Sequence, residues 1–161
     1  MENDRGPRRP FRRGGRPFEP LDEKVTETIQ ATHEHFLGSI EPFPIAGLNP
    51  FQRKQIHRHF ERTPEYKVRA IRDDQGEVLL KVYPLGRLQR MAETLVQEVL
   101  MTGGSRALPP MGSFERFIIH EYIKTRGGVR TESSGEGEKR HVQLLPIFGR
   151  VPKKAKRRLT R

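Results

Sequence analysis

The chain reads FQRKQIH at residues 51–57 and FERFIIH at residues 114–120, two versions of one pattern placed 63 residues apart. Each version has an arginine four positions before a histidine: Arg53 and His57 in the first, Arg116 and His120 in the second. Side chains four positions apart share one face of a helix. A guanidinium and an imidazole presented together from a rigid helix suit a partner that carries phosphate groups.

The segments around the two motifs repeat in one order, which predicts a duplication. In the first half the pattern predicts a helix over 24–37, an extended segment near 42–47, the motif helix over 49–61, and strands over 66–72 and 78–83. In the second half it predicts a helix over 88–100, an extended segment at 107–110, the motif helix over 113–124, and strands over 129–133 and 139–145. The alternative is two unrelated helix–hairpin units that share the motif by chance.

A narrow polar stripe runs along the second motif helix when its residues are projected on a helical wheel. Arg116, His120 and Lys124 fall on this stripe, and apolar residues occupy most of the remaining circumference. On the first motif helix the same stripe ends with Glu61 in place of a lysine. Because this position has changed sign, we expect the first copy to bind anions less well than the second. The alternative for either stripe is an ordinary solvated face with one histidine satisfied by its neighbours.

Positive charge is concentrated at the two ends of the chain, whose formal net charge is +11. Residues 1–20 carry six arginines against three acids, residues 147–161 carry seven basic residues and no acid, and residues 21–146 are nearly balanced. We therefore predict a disordered Arg/Gly/Pro-rich tail over 1–21, folded units over 22–87 and 88–150, and a polybasic tail over 151–161. Basic tails strengthen binding to polyanions in a salt-dependent way, and the alternative is that they only aid solubility.

Several classes of function are disfavoured by what the sequence lacks. With no cysteine, the chain has no disulfide, cysteine-ligated zinc or thiol catalyst, and no apolar run approaches the roughly 18 residues of a membrane span. It has no motif of a catalytic site, so we predict no enzymatic activity, no cofactor and no small-molecule substrate. The pairs His33/His35 and His57/His59 direct their rings apart on a helix, so we predict no metal site. Without a secretory signal, we expect a cytoplasmic protein.

Two longer blocks of the second half carry a family resemblance: LPPMGSFERFIIH at residues 108–120 and VRTESSGEGEKR at residues 129–140. In this order they resemble the R-3-H domain, which is named for its Arg-x-x-x-His signature. The version they resemble most is the one at the C-terminus of bacterial Jag-type (spoIIIJ-associated) RNA-binding proteins. An Arg-x-x-x-His motif alone is weak, whereas two matching blocks in the right order are specific.

The resemblance implies an α+β fold in which helices pack on one side of a small, three-stranded antiparallel sheet. With the repeat, we expect this unit twice in tandem, flanked by the disordered basic tails. The resemblance also implies binding of single-stranded nucleic acid without catalysis. By position, the signature contacts are Arg116 and His120, and the hairpin beside them supplies Arg130, Ser133, Lys139 and Arg140. The candidate set also includes Lys124 from the stripe, and Arg53 and His57 from the first copy.

The sequence departs from the family pattern at several positions. Gly112-Ser113 replace Asn-Pro, and Phe117 replaces an arginine, which removes a positive charge near the expected surface. The first half lacks the Gly-x-x-Gly loop of the KH domain that precedes this unit in Jag-type proteins. We predict a protein that binds single-stranded nucleic acid, with RNA favoured over DNA. The alternatives are a protein–protein adaptor and a ribosome-associated protein held by its tails.

Overall fold

The computed structural model of the chain describes residues 20–147, so most of the two predicted basic tails lies outside the described residues. The first half contains α1 (Glu23–Gly38), β1 (Phe43–Ile45), α2 (Pro50–Phe60), β2 (Lys67–Arg72) and β3 (Val78–Tyr83). The second half contains α3 (Leu85–Thr102), β4 (Arg106–Ala107), α4 (Ser113–Lys124), β5 (Val129–Ser134) and β6 (His141–Pro146). A short 3-10 turn, Gly137–Lys139, lies in the loop between β5 and β6.

Each half builds its own three-stranded antiparallel sheet with the last strand in the middle. The strand order is β1-β3-β2 in the first sheet and β4-β6-β5 in the second. Both sheets are small and antiparallel, and helices alternate with the strands in both halves, so the predicted α+β class is confirmed.

The strand registers show where the spacing of 63 residues ends. The residues at the centre of each sheet have two neighbours: Val82 pairs with Phe43 and Val68, and Leu144 pairs with Arg106 and Thr131. The neighbours are separated by 63 residues between the two halves, whereas the central residues are separated by 62. The connection from β5 to β6 is therefore one residue shorter than that from β2 to β3, and an ungapped alignment is wrong for the last strand.

Local signals explain where the helices begin and end. Asn49 and Gln52 form a reciprocal capping box at the start of α2, and Pro50 occupies its first turn. Helix α3 ends at Gly103, whose φ of 68° lies in the left-handed region that favours glycine. The same helix begins at Leu85, three residues before the predicted start at residue 88. Its first turn is closed early because the N–H of Leu88 donates to the carbonyl of Pro84 at 3.1 Å.

Each half has a separate hydrophobic core between its helices and the inner face of its sheet. The first core is formed by Val25, Ile29, Phe36, Ile45, Leu48, Ile56, Phe60, Val68, Leu80 and Val82. The second is formed by Leu88, Ala92, Val96, Val99, Leu108, Ile118, Ile119, Ile123, Val129, Val142 and Leu144. The halves also touch, since Arg90 pairs with Glu65 at 2.9 Å and Ile40 packs against the second core.

We expect the two motif helices to be anchored to the same degree by their buried isoleucines. Ile56 and Ile119 occupy corresponding positions and are both fully buried. Replacing either by alanine removes buried methyl groups and leaves a cavity, so the free energy of unfolding should fall by about 2–5 kcal/mol. Leu37→Ala is the control, because Leu37 is 82% exposed and its loss should change stability by about 0.5 kcal/mol or less. Urea denaturation measures all three, and a cost at Leu37 as large as that at Ile119 contradicts the packing described.

Candidate nucleic-acid interface

Helix α4 separates its buried and polar sides as the wheel predicted. Its buried residues are Glu115, Ile118, Ile119 and Ile123. Arg116 and His120 are half-buried beside them, and Lys124 is exposed at the end of the helix. The polar stripe therefore begins at the edge of the core and ends in solvent.

Arg116 is fixed by a hydrogen bond to the chain that leads into its own helix. Its Nη1 donates to the carbonyl oxygen of Met111 at 2.7 Å. Arg53 makes the corresponding bond in the first half, from Nη1 to the carbonyl oxygen of Leu48 at 2.6 Å. A guanidinium carries five N–H donors, so each arginine holds the lead-in segment and keeps further donors for a partner. The sequence gave no sign of this structural role.

His120 joins α4 to β5 through two hydroxyl groups. Its Nδ1 lies 2.7 Å from Oγ1 of Thr131, and its Nε2 lies 2.8 Å from Oγ of Ser133. Thr131 and Ser133 are two positions apart on a strand and so point to the same face. Ser133 was predicted as a site residue, whereas Thr131 was missed. The alternation of hydroxyl residues in VRTESS was the available signal for it.

The environment of His120 favours a neutral ring. Burial lowers the pKa of His120, and the neighbouring Arg116 lowers it further. A neutral imidazole donates from one nitrogen and accepts at the other, and a hydroxyl group can serve as donor or acceptor. The ring therefore acts as a rigid bridge between helix and strand at neutral pH rather than as an extra cation.

Three of the predicted cations lie close to this bridge. Lys124 and Arg130 line a shallow depression of about 280 Å³ together with His120 and Thr131. Lys124 lies 3.5 Å from Glu121, and Arg130 pairs with Glu132. All four charged side chains are more than half exposed, and ion pairs of that kind contribute little to stability. A phosphate group can compete for either cation at small cost.

The β5–β6 loop places two further cations near Arg116. Lys139 and Arg140 are exposed and form no ion pair with any other residue in the range 20–147. The N–H of Met111 donates to the carbonyl of Arg140 at 3.1 Å, so the loop is tied to the segment that Arg116 holds. Gly135 permits the tight turn because its φ is 84° and a Cβ there would lie 2.7 Å from the carbonyl oxygen of Lys139.

Residues 86–146 match the family model of the R-3-H domain. The match extends from the first turn of α3 to the end of β6, and it includes every candidate contact of the second half. R-3-H domains are nucleic-acid-binding domains in general, so the match supports nucleic-acid binding as the general function. The first half lies outside the matched range. No curated protein matches the chain.

The first half carries the same scaffold with a different set of side chains around its histidine. By strand register, Val68 and Ala70 occupy the positions that Thr131 and Ser133 occupy in the R-3-H domain. His57 therefore has no such hydroxyl pair, and its Nδ1 lies 3.6 Å from a carboxylate oxygen of Glu61. The same carboxylate lies 3.7 Å from Nζ of Lys67. An acid at the centre of this stripe reduces its attraction for phosphate groups.

Two other predictions concern metals and membranes. Across residues 20–147, no group of three or more His, Asp or Glu side chains has an arrangement that could hold a metal ion. His33 and His59 do meet, with ring centroids 5.8 Å apart, beside Phe60 and Tyr66. No helix in the described part of the chain is long and apolar enough to cross a membrane.

We expect acid to destabilise the R-3-H domain through His120. In the folded chain the pKa of His120 lies below its ordinary value of 6.5, so the unfolded chain takes up a proton first as the pH falls. The stabilising contribution is therefore complete above pH 6.5 and is lost as the pH falls through the folded pKa. His120→Gln should flatten the fall in unfolding free energy between about pH 7.5 and about pH 5, measured by urea denaturation.

His59 is the control for this experiment. Burial, followed by His33 and Arg62, also lowers the pKa of His59, so its contribution has the same sign. His120→Gln should consequently remove part of the pH dependence and His59→Gln another part. An unchanged pH dependence in His120→Gln contradicts the assignment of a lowered pKa to that ring.

Proposed function

We propose that the R-3-H domain of this chain binds single-stranded nucleic acid, with RNA favoured, along the face formed by α4, β5 and the β5–β6 loop. The observation that carries the proposal is the grouping of Arg116, the His120 bridge and four exposed cations on one side of the domain. The four cations are Lys124, Arg130, Lys139 and Arg140. Ser133 belongs to the same face through its bond to His120.

The cations act mainly on the phosphate backbone. Arg116 uses the N–H groups that Met111 does not occupy, and the lysines act as point charges. Because α4 is held by its core contacts and by His120, these donors need little reordering when a strand binds. Low reordering cost favours affinity. The basic tails add contacts whose strength falls with salt concentration.

Preference for RNA rests on the resemblance of residues 129–140 to Jag-type RNA-binding proteins. We also propose that the first half is a diverged second copy of the unit. Its identical strand order and the matching arginine bonds to Leu48 and Met111 support this duplication. Its Arg53 and His57 are weaker contacts, because Glu61 neutralises their stripe. We further propose that binding involves no catalysis and takes place in the cytoplasm.

The contribution of Arg116 is tested against Arg53 as a matched control. Both arginines donate to a backbone carbonyl, so either change to alanine should cost a similar amount of folding free energy, about 1 kcal/mol. Only Arg116→Ala should weaken binding strongly, by about 1–3 kcal/mol. Fluorescence anisotropy with a labelled single-stranded RNA at several salt concentrations measures binding, and urea denaturation measures stability. Equal losses of affinity in the two variants contradict the ranking of the two faces.

A shortened chain of residues 20–147 separates the folded domains from the tails. On our proposal it retains salt-dependent binding that Arg116→Ala weakens. If it binds no RNA while the full chain does, the tails carry the affinity, as expected for a ribosome-associated protein held by its tails. If neither form binds any single strand, an adaptor for other proteins becomes the better explanation.

A further inference from the structure

The outer face of the first sheet is basic. Leu80 and Val82 point into the first core, so Lys81 between them points to the opposite, outer face. On β2, Val68 enters the core, and Arg69 next to it shares the outer face with Lys81. The strand register pairs these two residues directly. Arg69 and Lys81 form no ion pair with any residue in the part of the chain that the structure describes.

Helix α4 of the R-3-H domain lies against one side of this outer face. Tyr83 meets Phe114 edge to face with ring centroids 4.6 Å apart, and Tyr83 is only 4% exposed. The guanidinium carbon of Arg69 lies 4.3 Å from the centroid of the Phe114 ring. This distance is that of a cation–π contact. The two halves of the chain therefore form one continuous surface at this point.

Phe117 extends the aromatic part of this surface into solvent. Its ring lies 6.3 Å from that of Phe114 at an interplanar angle of 23°, and its side chain is 57% exposed. One exposed phenylalanine is common in proteins. This one lies beside a second ring and a cation, which together resemble the combination that holds unpaired bases in proteins that bind single strands.

The position of Phe117 on α4 links this platform to the proposed face of the R-3-H domain. Phe117 is three residues before His120 and three after Phe114, so it lies between them on the helix surface. Glu121, the exposed acid nearby, is paired with Lys124 at 3.5 Å. A strand that passes along Lys124 and His120 therefore reaches Phe117 next, and then Arg69 and Lys81.

We propose that the bound single strand continues from the R-3-H face onto the outer face of the first sheet. One base stacks on Phe117, and the following phosphates contact Arg69 and Lys81. A polyanion with flat, unpaired bases is the partner that this surface fits, because it combines exposed rings with cations that have no partner among the described residues. The inference rests on the proposed function, and it gives the first half a role that does not use Arg53 or His57.

Stacking is tested with the full chain and two fluorescein-labelled probes: oligouridine and a strand of equal length whose internal bases are replaced by abasic sites. Phe117→Leu keeps an apolar side chain but loses the ring. It should raise the Kd for oligouridine about tenfold and leave the Kd for the abasic strand unchanged, while Phe117→Tyr should keep the wild-type affinity. Phe51→Leu is the matched control, because Phe51 is 50% exposed on α2 and lies off this surface, so both Kd values should stay the same.

The cations are tested by Arg69→Gln and Lys81→Gln, which keep polar side chains without charge. Each should reduce the slope of log affinity against log salt concentration by about 0.7, the value for one phosphate contact on a single strand. Lys54→Gln is the control, because Lys54 occupies on α2 the position that Phe117 occupies on α4, and its slope should not change. Lys81 touches neither ring in the argument above, so its variant reports charge independently of the Arg69–Phe114 contact.

The outcomes separate this inference from the function it rests on. If Arg116→Ala weakens binding while Phe117→Leu and both glutamine variants bind like the wild type, the inference is wrong and the proposed function stands. An equal loss in Phe117→Leu on both probes also overturns it, because stacking requires a base. If the wild-type chain binds neither probe, both the proposed function and the inference fail.

Discussion

The bonds of His120 to the hydroxyl groups of Thr131 and Ser133 determine how the R-3-H domain presents its charges. They join the polar edge of α4 to β5, at the point where the hydrophobic core ends. Because both ring nitrogens have a partner, the imidazole can be partly buried without an unpaired polar group. The cost is that burial and Arg116 lower the pKa of His120, so the ring contributes rigidity rather than charge at neutral pH. Lysines and arginines around it then carry the attraction for phosphate groups.

The two halves show one scaffold with two sets of chemistry. Both have the same strand order, and in both the motif arginine donates to the carbonyl five residues before it. These shared features concern folding, and the differences concern the surface. Val68 and Ala70 replace the hydroxyl residues, and Glu61 replaces Lys124 in the stripe. The signature motif is thus compatible with a unit whose polar stripe is partly neutralised, which is why the motif alone is a poor guide to binding strength.

Local elements could be predicted from the sequence because local signals determine them. Helix α4 spans residues 113–124 as predicted, and the capping signal Asn49-Pro50 places the start of α2 correctly. The start of α3 was missed because Pro84 serves as its N-cap without a capping side chain. The register of β6 was missed because a one-residue difference in loop length leaves no trace in an ungapped repeat.

Contacts between elements could not be predicted in the same way. The periodicity of α4 indicates that His120 is on a polar stripe, but it does not indicate which strand lies opposite. Only the fold brings Thr131 to the ring. Likewise, nothing in residues 66–72 indicates that Arg69 lies over Phe114 of the other half. Site residues could therefore be chosen from the motif, whereas their partners and the surface shared by the two halves required the structure.

Chemical-shift mapping by NMR tests the central claim most directly. Titration of the nitrogen-15-labelled full chain with an unlabelled single-stranded RNA reports which backbone amides sense the partner. The account predicts the largest changes at Arg116, His120, Thr131 and Ser133, with small changes at Arg53 and His57. Changes confined to the tails, or larger changes on α2 than on α4, would contradict it.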